Sequence, residues 1–306
     1  MSKLKPLNIS STIGIIAPAS PEDREFIDEK ISNFQKLGFK IKKGKHLYSS
    51  YGYLAGNDKD RAEDLNLMFA DKDIDAIVSL RGGYGSMRMA PYLDLKLIKN
   101  NPKPFCGYSD ITLLLNYLAK ACKLTTFHSP MITSNFNDII TKEYFIKVLT
   151  NKAPKIIYNL KEICSDNYFV WNEKDFEGNL VGGNLSIICS TIGTPYEIDF
   201  KGNILFIEDV NESPYSVDRM LSQLISCGKL QKVCGIILGH FTDCTNKDSD
   251  FSINDIIKQK LVPLNIPIIE SFPLGHDYPN ITIPIGSKFE FLSSSNLLVQ
   301  KELFFK

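Results

Sequence analysis

Apolar strands alternate with amphipathic helices through the first half of the chain, and this alternation restricts the fold more than any other feature. Thr12–Ala17 and Ala76–Leu80 are short apolar runs that predict buried strands, and residues at helical spacing follow elsewhere in the same half. Repeated strand–helix units of this kind predict an α/β fold with a parallel sheet and helices on both faces. Because such sheets bind ligands beyond the carboxyl ends of their strands, the loops that follow the strands are expected to carry function.

The start of the first helix is predicted from local signals. Ser20 is expected to be the N-cap residue, Pro21 the first helical residue and Asp23 the partner in a capping box. Asn57 and Asp60 are expected to open the next helix.

A change of character divides the chain into two domains. Lys and Asn increase after about residue 141, helical periodicity weakens, and the later tail alternates apolar and polar residues as paired strands do. We therefore predict an α/β domain over residues 1–150, a connection over 151–173, and a β-rich domain with fewer helices over 174–306.

Charge and composition exclude several classes of protein. Lys and Arg together number 35, as do Asp and Glu, so the formal net charge is zero and no basic surplus favours nucleic acid. No apolar run approaches the roughly 18 residues of a membrane span, and the first residues lack the features of a signal peptide. The seven cysteines form no metal-binding spacing, and there is no phosphate-binding loop motif. We expect a cytoplasmic protein with reduced cysteines and no nucleic-acid or membrane partner.

Ser109 lies between the end of one predicted strand, Pro104–Gly107, and a helix indicated by apolar residues from Ile111 to Leu118. A serine at such a place can be a nucleophile on a sharp turn, with helix N–H groups nearby to stabilise an oxyanion. The alternative is a serine whose hydroxyl only caps the helix, and the local pattern by itself favours that role.

Candidate partners for a nucleophilic serine come from the second half of the chain. Such a serine needs a base and a carboxylate that orients the base. His276 lies in a loop rich in glycine and proline, although a histidine there can also be a structural turn residue. Glu208 and Asp209 follow the apolar strand Asn203–Ile207 at its carboxyl end. Alternation along the strand points Asp209 to the face opposite that of Glu208. Glu212, in a more exposed loop, is another candidate for the carboxylate. Glu208 can equally be an ordinary strand-end charge.

The loop Arg81–Gly85 can supply the backbone donors that an oxyanion requires, because its glycines let the backbone approach a ligand closely. The backbone N–H of Asp110, which follows Ser109, would be the second donor.

These segments together resemble the LD-carboxypeptidase family of serine peptidases, which includes muramoyltetrapeptide carboxypeptidases and microcin-C self-immunity peptidases. The resemblance extends over nearly the whole chain, in the order of the family. The matching stretches are Gly14–Ser20, Arg81–Gly85, Gly107–Thr112, Gly182–Ser186, Phe206–Val210, Pro214–Leu221, and Gly275-His276 through Pro284–Gly286.

The resemblance implies a flavodoxin-like parallel sheet in the N-terminal domain and a smaller β-rich C-terminal domain. It assigns Ser109 as nucleophile, His276 as base and Glu208 as the acid that orients the base. It also implies an oxyanion hole formed by the amides of Asp110 and of one glycine in the Gly82-Gly83 pair, for which Gly83 is preferred. No metal or cofactor is expected, and a homodimer is.

The expected activity is removal of the terminal D-alanine from a cytoplasmic murein tetrapeptide, through an acyl-enzyme, in peptidoglycan recycling. One alternative is a microcin-immunity type of peptidase that cleaves peptidyl- or aminoacyl-nucleotide amides, in which Trp171 could stack on a base. Another is a two-domain ligand binder without catalysis. The roles of Arg81 and Arg88 stay open.

Overall fold

Two compact units make up the chain in the computed structural model, which describes residues 3–150, 155–165, 167–245, 251–302 and 305. Unit 1 comprises Met1–Ala153, Ile281–Gly286 and Leu303–Lys306, and unit 2 comprises Pro154–Asn280 and Ser287–Glu302. Among the described residues, no helix is long and apolar enough to cross a membrane. None of the seven cysteines forms a disulfide.

Unit 1 is a helix-flanked sheet with the predicted strand–helix alternation. Its strands are β1 (Thr12–Ile16), β2 (Lys40–Lys43), β3 (Ala76–Ser79), β4 (Phe105–Gly107), β5 (Thr126–His128) and, from late in the chain, β12 (Ile283–Ile285). Its helices are α1 (Arg24–Gln35), α2 (Asp58–Ala70), α3 (Ser86–Met89), α4 (Leu95–Asn100), α5 (Thr112–Cys122) and α6 (Ile139–Thr150).

The sheet of unit 1 has the strand order β2-β1-β3-β4-β5-β12. The first five strands are parallel in the flavodoxin-like order 2-1-3-4-5, and β12 pairs antiparallel with β5. The central strands β1 and β3 are mostly apolar, and every residue in them except Thr12 is buried, as a sheet covered on both faces requires. This arrangement confirms the parallel-sheet prediction and places the loops after β1, β3 and β4 at one edge of the sheet.

Unit 2 is smaller and richer in strands, as expected. Its strands are β6 (Ile157–Asn159), β7 (Phe169–Trp171), β8 (Phe176–Asn184), β9 (Ile204–Val210), β10 (Gly235–Thr242), β11 (Ile268–Glu270), β13 (Lys288–Leu292) and β14 (Leu297–Gln300). Its helices are α7 (Leu160–Ile163), α8 (Leu185–Ser190), α9 (Pro214–Ser226) and α10 (Ile253–Lys260).

One mixed sheet of eight strands organises unit 2, in the order β6-β14-β13-β8-β9-β10-β11-β7. Strands β8 to β11 are parallel, and antiparallel strands extend the sheet on both sides. Helices α8, α9 and α10 pack their apolar faces on the parallel part, where Leu205, Ile207 and Ile236 are buried.

The segments near the predicted boundaries take part in these sheets. Residues 151–154 and 166 lie outside the described part of the chain, but the rest of the segment expected as a connection, 151–173, contains β6, α7 and β7. Strand β6 pairs with β14 and strand β7 pairs with β11 in the sheet of unit 2. Each pairing satisfies backbone N–H and C=O groups that would otherwise lie unpaired at the edge of the sheet. The tail forms strands as expected, yet β12 belongs to unit 1.

Candidate active site

Ser109 lies two residues after the end of β4 and opens a short 3-10 turn, Ser109–Ile111, that leads into α5. Its φ of 63° lies in the left-handed region, which a residue other than glycine enters only at a cost. Tyr108 is the N-cap of the turn and Ile111 that of the helix, and neither start has a side-chain cap bond. Ser109 therefore does not cap the helix, although the sequence pattern favoured that role.

Gly107 makes the sharp turn possible. A Cβ on this residue would lie 2.8 Å from Cγ2 of Ile111, so the side chain of Ile111 packs directly on the bare backbone of the strand end. The half-buried Ser109 is thereby held at the tip of the turn between two buried residues, Asp110 and Gly107.

The glycine-rich loop after β3 contacts Ser109 through Gly82. An ideal Cβ on Gly82 would lie 2.6 Å from Cβ and 2.8 Å from Oγ of Ser109. Gly83, with φ 119°, lies instead against Ser20, whose Oγ would be 2.1 Å from a Cβ at that position. Gly82 and Gly83 are thus both required to be glycine, the first by Ser109 and the second by Ser20 and its own φ.

Ser20 belongs to this loop contact rather than to a helix start. Its Oγ accepts a hydrogen bond from the backbone N–H of Tyr84 at 3.3 Å, and its own N–H donates to the carbonyl of Gly82 at 3.4 Å. The helix begins only at Arg24, with Asp23 as an N-cap that makes no side-chain bond. The prediction of a capping box from Ser20 was wrong, because the hydroxyl is used between two loops.

The carboxylate of Asp110 binds the first residue of α3. It is buried, and its Oδ2 accepts a hydrogen bond of 2.8 Å from the backbone N–H of Ser86. Burial raises the pKa of this carboxyl above its ordinary value. The backbone N–H of Asp110 is at the start of the turn, where a 3-10 helix supplies no internal acceptor, so it is suited to donate to an oxyanion.

Arg61 is a residue that the sequence reasoning missed, and it ties the loops of unit 1 together. Its buried guanidinium donates to the carbonyls of Pro18 at 2.5 Å, Gly85 at 2.9 Å and Gly56 at 3.3 Å, and it pairs with Asp58. Burial lowers the pKa of Arg61.

The signal for Arg61 was present in the helical pattern. Arg61 stands four residues before Leu65 on the buried face of α2, so a charged residue occupies an apolar stripe. A buried charge needs partners, and here backbone carbonyls of two loops provide them.

Glu208 and His276 meet in unit 2. The Oε2 atom of Glu208 lies 2.7 Å from Nδ1 of His276, and the carboxylate is completely buried at the end of β9. Gly239 and Gly275 leave room for it, since a Cβ on either would approach Glu208 Cβ to 3.1 Å. A carboxylate that accepts the Nδ1 proton fixes the ring orientation and leaves Nε2 as the basic nitrogen.

Asp209 faces the other side of β9, as alternation predicted. Its Oδ1 accepts from Asn184 Nδ2 at 2.8 Å and from Val210 N at 2.9 Å, and its Oδ2 accepts from Ser186 N at 3.0 Å. Burial, as the largest cause, raises its pKa to about 6. Asp209 therefore fixes the junction of β8 and α8, and Glu208 is the carboxylate that serves His276.

The three residues whose roles stayed open have partners within their own units. Arg81 pairs with Glu22, and Arg88 makes hydrogen bonds of 3.1 Å to both carboxylate oxygens of Asp58. Trp171 donates its indole N–H to Glu270 at 2.6 Å and packs against the apolar core of unit 2. Trp171 therefore has structural contacts within the sheet of unit 2.

The predicted site residues thus fall into two groups. Gly82, Ser109 and the backbone of Asp110 adjoin one another in unit 1. Glu208 and His276 are hydrogen-bonded in unit 2. Elsewhere, His46, Asp60 and Glu63 are the one group in the described residues with ligand atoms close enough for a metal ion, and Lys45 already pairs with Glu63 at 3.2 Å.

Comparison with known proteins gives a consistent result. A family model described as the LD-carboxypeptidase N-terminal domain matches residues 13–129, and one described as the C-terminal domain matches residues 177–291. A probable murein peptide carboxypeptidase of Bacillus subtilis is 38% identical over 298 residues, which is 94% of this chain and 90% of the relative.

Two further relatives have solved structures. The microcin C7 self-immunity protein MccF of Escherichia coli is 32% identical over 314 residues, which is 92% of this chain and 91% of the relative. A solved structure of MccF in complex with glutamyl sulfamoyl guanosine has a TM-score of 0.91 over the full length of both chains, at 28% identity. The muramoyltetrapeptide carboxypeptidase of Oxalobacter formigenes has a TM-score of 0.80 at 28% identity, covering 95% of this chain and 98% of that one.

Proposed function

The chain belongs to the LD-carboxypeptidase family and is a serine-type carboxypeptidase, and from this premise we propose that it hydrolyses the L,D-amide bond that carries the terminal D-alanine of a murein tetrapeptide. The observation that carries the mechanism is the bond of 2.7 Å between buried Glu208 and Nδ1 of His276. That pairing is how a serine hydrolase prepares its base. The relative in Bacillus subtilis supports the substrate class.

In the first half of the proposed reaction, Oγ of Ser109 attacks the carbonyl carbon of the scissile amide, and Nε2 of His276 takes the hydroxyl proton. Glu208 stabilises the imidazolium that results. The negative charge on the substrate oxygen accepts hydrogen bonds from the backbone N–H groups of Asp110 and Gly83. When the carbon–nitrogen bond breaks, His276 returns the proton to the leaving amine, and D-alanine departs.

The second half repeats the chemistry with water. His276 takes a proton from the water as its oxygen attacks the ester carbonyl of the acyl-enzyme, and the proton then returns to Oγ of Ser109. The products are the tripeptide carboxylate and the free serine. The strained φ of 63° at Ser109 supports this assignment, because strain at a nucleophile on a strand–helix turn presents its oxygen to the substrate.

A second candidate is cleavage of aminoacyl-nucleotide amides, and the TM-score of 0.91 with MccF favours it. Trp171 was the residue considered for stacking on a base. Its indole is instead engaged with Glu270 and with the neighbouring ring of Phe169 in the sheet. For this reason we rank the murein peptide first.

The test compares both substrates with one preparation of enzyme. D-alanine release from murein tetrapeptide is measured beside hydrolysis of an aminoacyl sulfamoyl adenosine, with Ser109→Ala as the control. We expect release of D-alanine by the wild type and none by the variant. Full activity of Ser109→Ala would refute the nucleophile, and cleavage of the nucleotide analogue alone would reverse the choice of substrate.

Two further expectations accompany this proposal. We propose that the protein is a homodimer and that it works in the cytoplasm on recycled wall peptides, as the family resemblance implies. Sedimentation equilibrium tests the first point, and fractionation of cells tests the second; a monomer, or protein found outside the cytoplasm, would contradict them.

A further inference from the structure

A β-bulge in unit 2 lies directly opposite Glu208. Leu238 of β10 pairs with Ile207 of β9, and Phe241 pairs with Asp209, so that Gly239 and His240 together oppose one residue. Such bulges bend a strand and redirect a side chain, and they are frequent beside active sites. Here the bulge places His240 in contact with the loop of residues 274–279 that carries His276.

His240 holds that loop at both of its ends. Its backbone N–H donates to the carbonyl of Leu274 at 2.8 Å, and its ring Nε2 lies 3.2 Å from the carbonyl oxygen of Pro279. A carbonyl only accepts hydrogen bonds, so the contact requires a proton on Nε2 of His240. The two anchored residues stand two positions before and three positions after His276.

Neighbouring contacts leave the loop little freedom. The N–H of Gly275 donates to Oδ1 of Asn280 at 3.2 Å, which closes the loop on itself. The carbonyl of Leu274 would be 2.5 Å from a Cβ on Gly239, so the loop lies directly on the bulge. Within this arrangement, the ring of His240 supplies a side-chain hydrogen bond to the loop from the neighbouring strand.

We propose that His240 is a positioning residue for the catalytic base: by clamping Leu274 and Pro279 it holds His276 in hydrogen-bond contact with Glu208. The proposal deepens the proposed function and rests on it for the role of His276. A base whose orientation varies spends less time in the reactive geometry, so loss of the clamp is expected to lower kcat rather than raise KM.

The first test uses the wild type without substrate. With only four histidines in the chain, the ring nitrogens of a 15N-histidine-labelled sample can be assigned by single substitutions. We expect His240 as the Nε2–H tautomer and a downfield Nδ1–H resonance for His276, as a proton shared with a carboxylate gives. A proton on Nδ1 of His240 with none on Nε2 would overturn the clamp.

The second test compares two substitutions that differ in one donor. His240→Leu removes the ring donor, whereas His240→Gln retains an N–H that can reach Pro279. We expect His240→Leu to lower kcat for D-alanine release about tenfold at unchanged KM, with the His276 Nδ1–H resonance moved or broadened, and His240→Gln to restore most of both. His46→Leu, the same change at a half-buried histidine in unit 1, is the matched control and should leave kcat unchanged.

The outcomes separate this inference from the proposed function. If His240→Leu does not fold, His240→Asn, whose amide is too short to reach Pro279, takes its place. An unchanged resonance and kcat in the variant without the donor, or no recovery in His240→Gln, would refute the positioning role. If the resonance moves as expected but the wild type releases no D-alanine, then the substrate assignment fails and the clamp stands.

Discussion

Replacement of Gly82 by alanine tests the contact between the glycine-rich loop and the nucleophile most directly. The backbone of Gly82 lies outside the left-handed region, so alanine meets no conformational penalty there. The added Cβ would lie 2.6 Å from Cβ and 2.8 Å from Oγ of Ser109. Carbon atoms in contact prefer about 3.5–4.0 Å, so Ser109 or the loop must move by about 1 Å.

That displacement gives the expected magnitude. A shift of about 1 Å at a reacting group costs on the order of 100-fold in rate, or about 2.7 kcal/mol of activation free energy. Overpacking of the same site is expected to lower the free energy of unfolding by about 1–3 kcal/mol. The measurement is kcat/KM for D-alanine release, with thermal unfolding recorded on the same sample so that loss of fold is not mistaken for loss of catalysis.

Gly52→Asn is the matched control in unit 1. Gly52 has φ 61° and no atom within 4 Å of an added Cβ, and asparagine tolerates that conformation well. We expect this variant to keep the activity of the wild type. If Gly82→Ala also kept it, the argument that Gly82 makes room for the nucleophile would be refuted.

Three other changes probe the buried charges. Glu208→Gln keeps the volume but removes the negative charge that His276 contacts, so kcat should fall by about 10³–10⁴-fold with the fold retained by circular dichroism. The pKa of Asp209 is raised to about 6, above the ~3.9 of an unfolded chain, so the folded state binds more protons between these two values. The free energy of unfolding of the protein should therefore fall by about 2–3 kcal/mol from about pH 4 to about pH 6. Asp209→Asn should remove this pH dependence, as measured by urea titrations. Arg61→Lys should lower the free energy of unfolding by about 3–5 kcal/mol, because one ammonium cannot serve the loop carbonyls and Asp58 together. The control is Arg219→Lys on the exposed face of α9, which should change the free energy of unfolding little.

Features that depend on the local repeat of the chain could be predicted from the sequence. Alternation along β9 correctly separated Glu208 from Asp209, since neighbouring side chains of a strand point to opposite faces. The parallel sheet of unit 1 followed from the strand–helix alternation, and the place of Ser109 at the end of β4 followed with it.

Features that depend on distant partners could not be predicted in this way. Ser20 has the residue pattern of a helix cap, yet the glycine-rich loop uses its hydroxyl, and no local signal distinguishes the two. The buried Arg61 could be suspected from its place in an apolar stripe, but its acceptors are loop carbonyls far along the chain. The antiparallel addition of β12 to β5 likewise depends on long-range pairing and not on the alternation of the tail itself.

The pairing of β12 with β5 has a consequence for how the chain reaches its folded state. Residues 283–285 are synthesised after most of unit 2, so during synthesis β5 presents an open sheet edge until they arrive. Pairing over so long a separation is slow because the loop-closure entropy must be overcome first. A truncated chain that stops at residue 153 would keep this edge exposed, and we expect it to aggregate where the full chain folds.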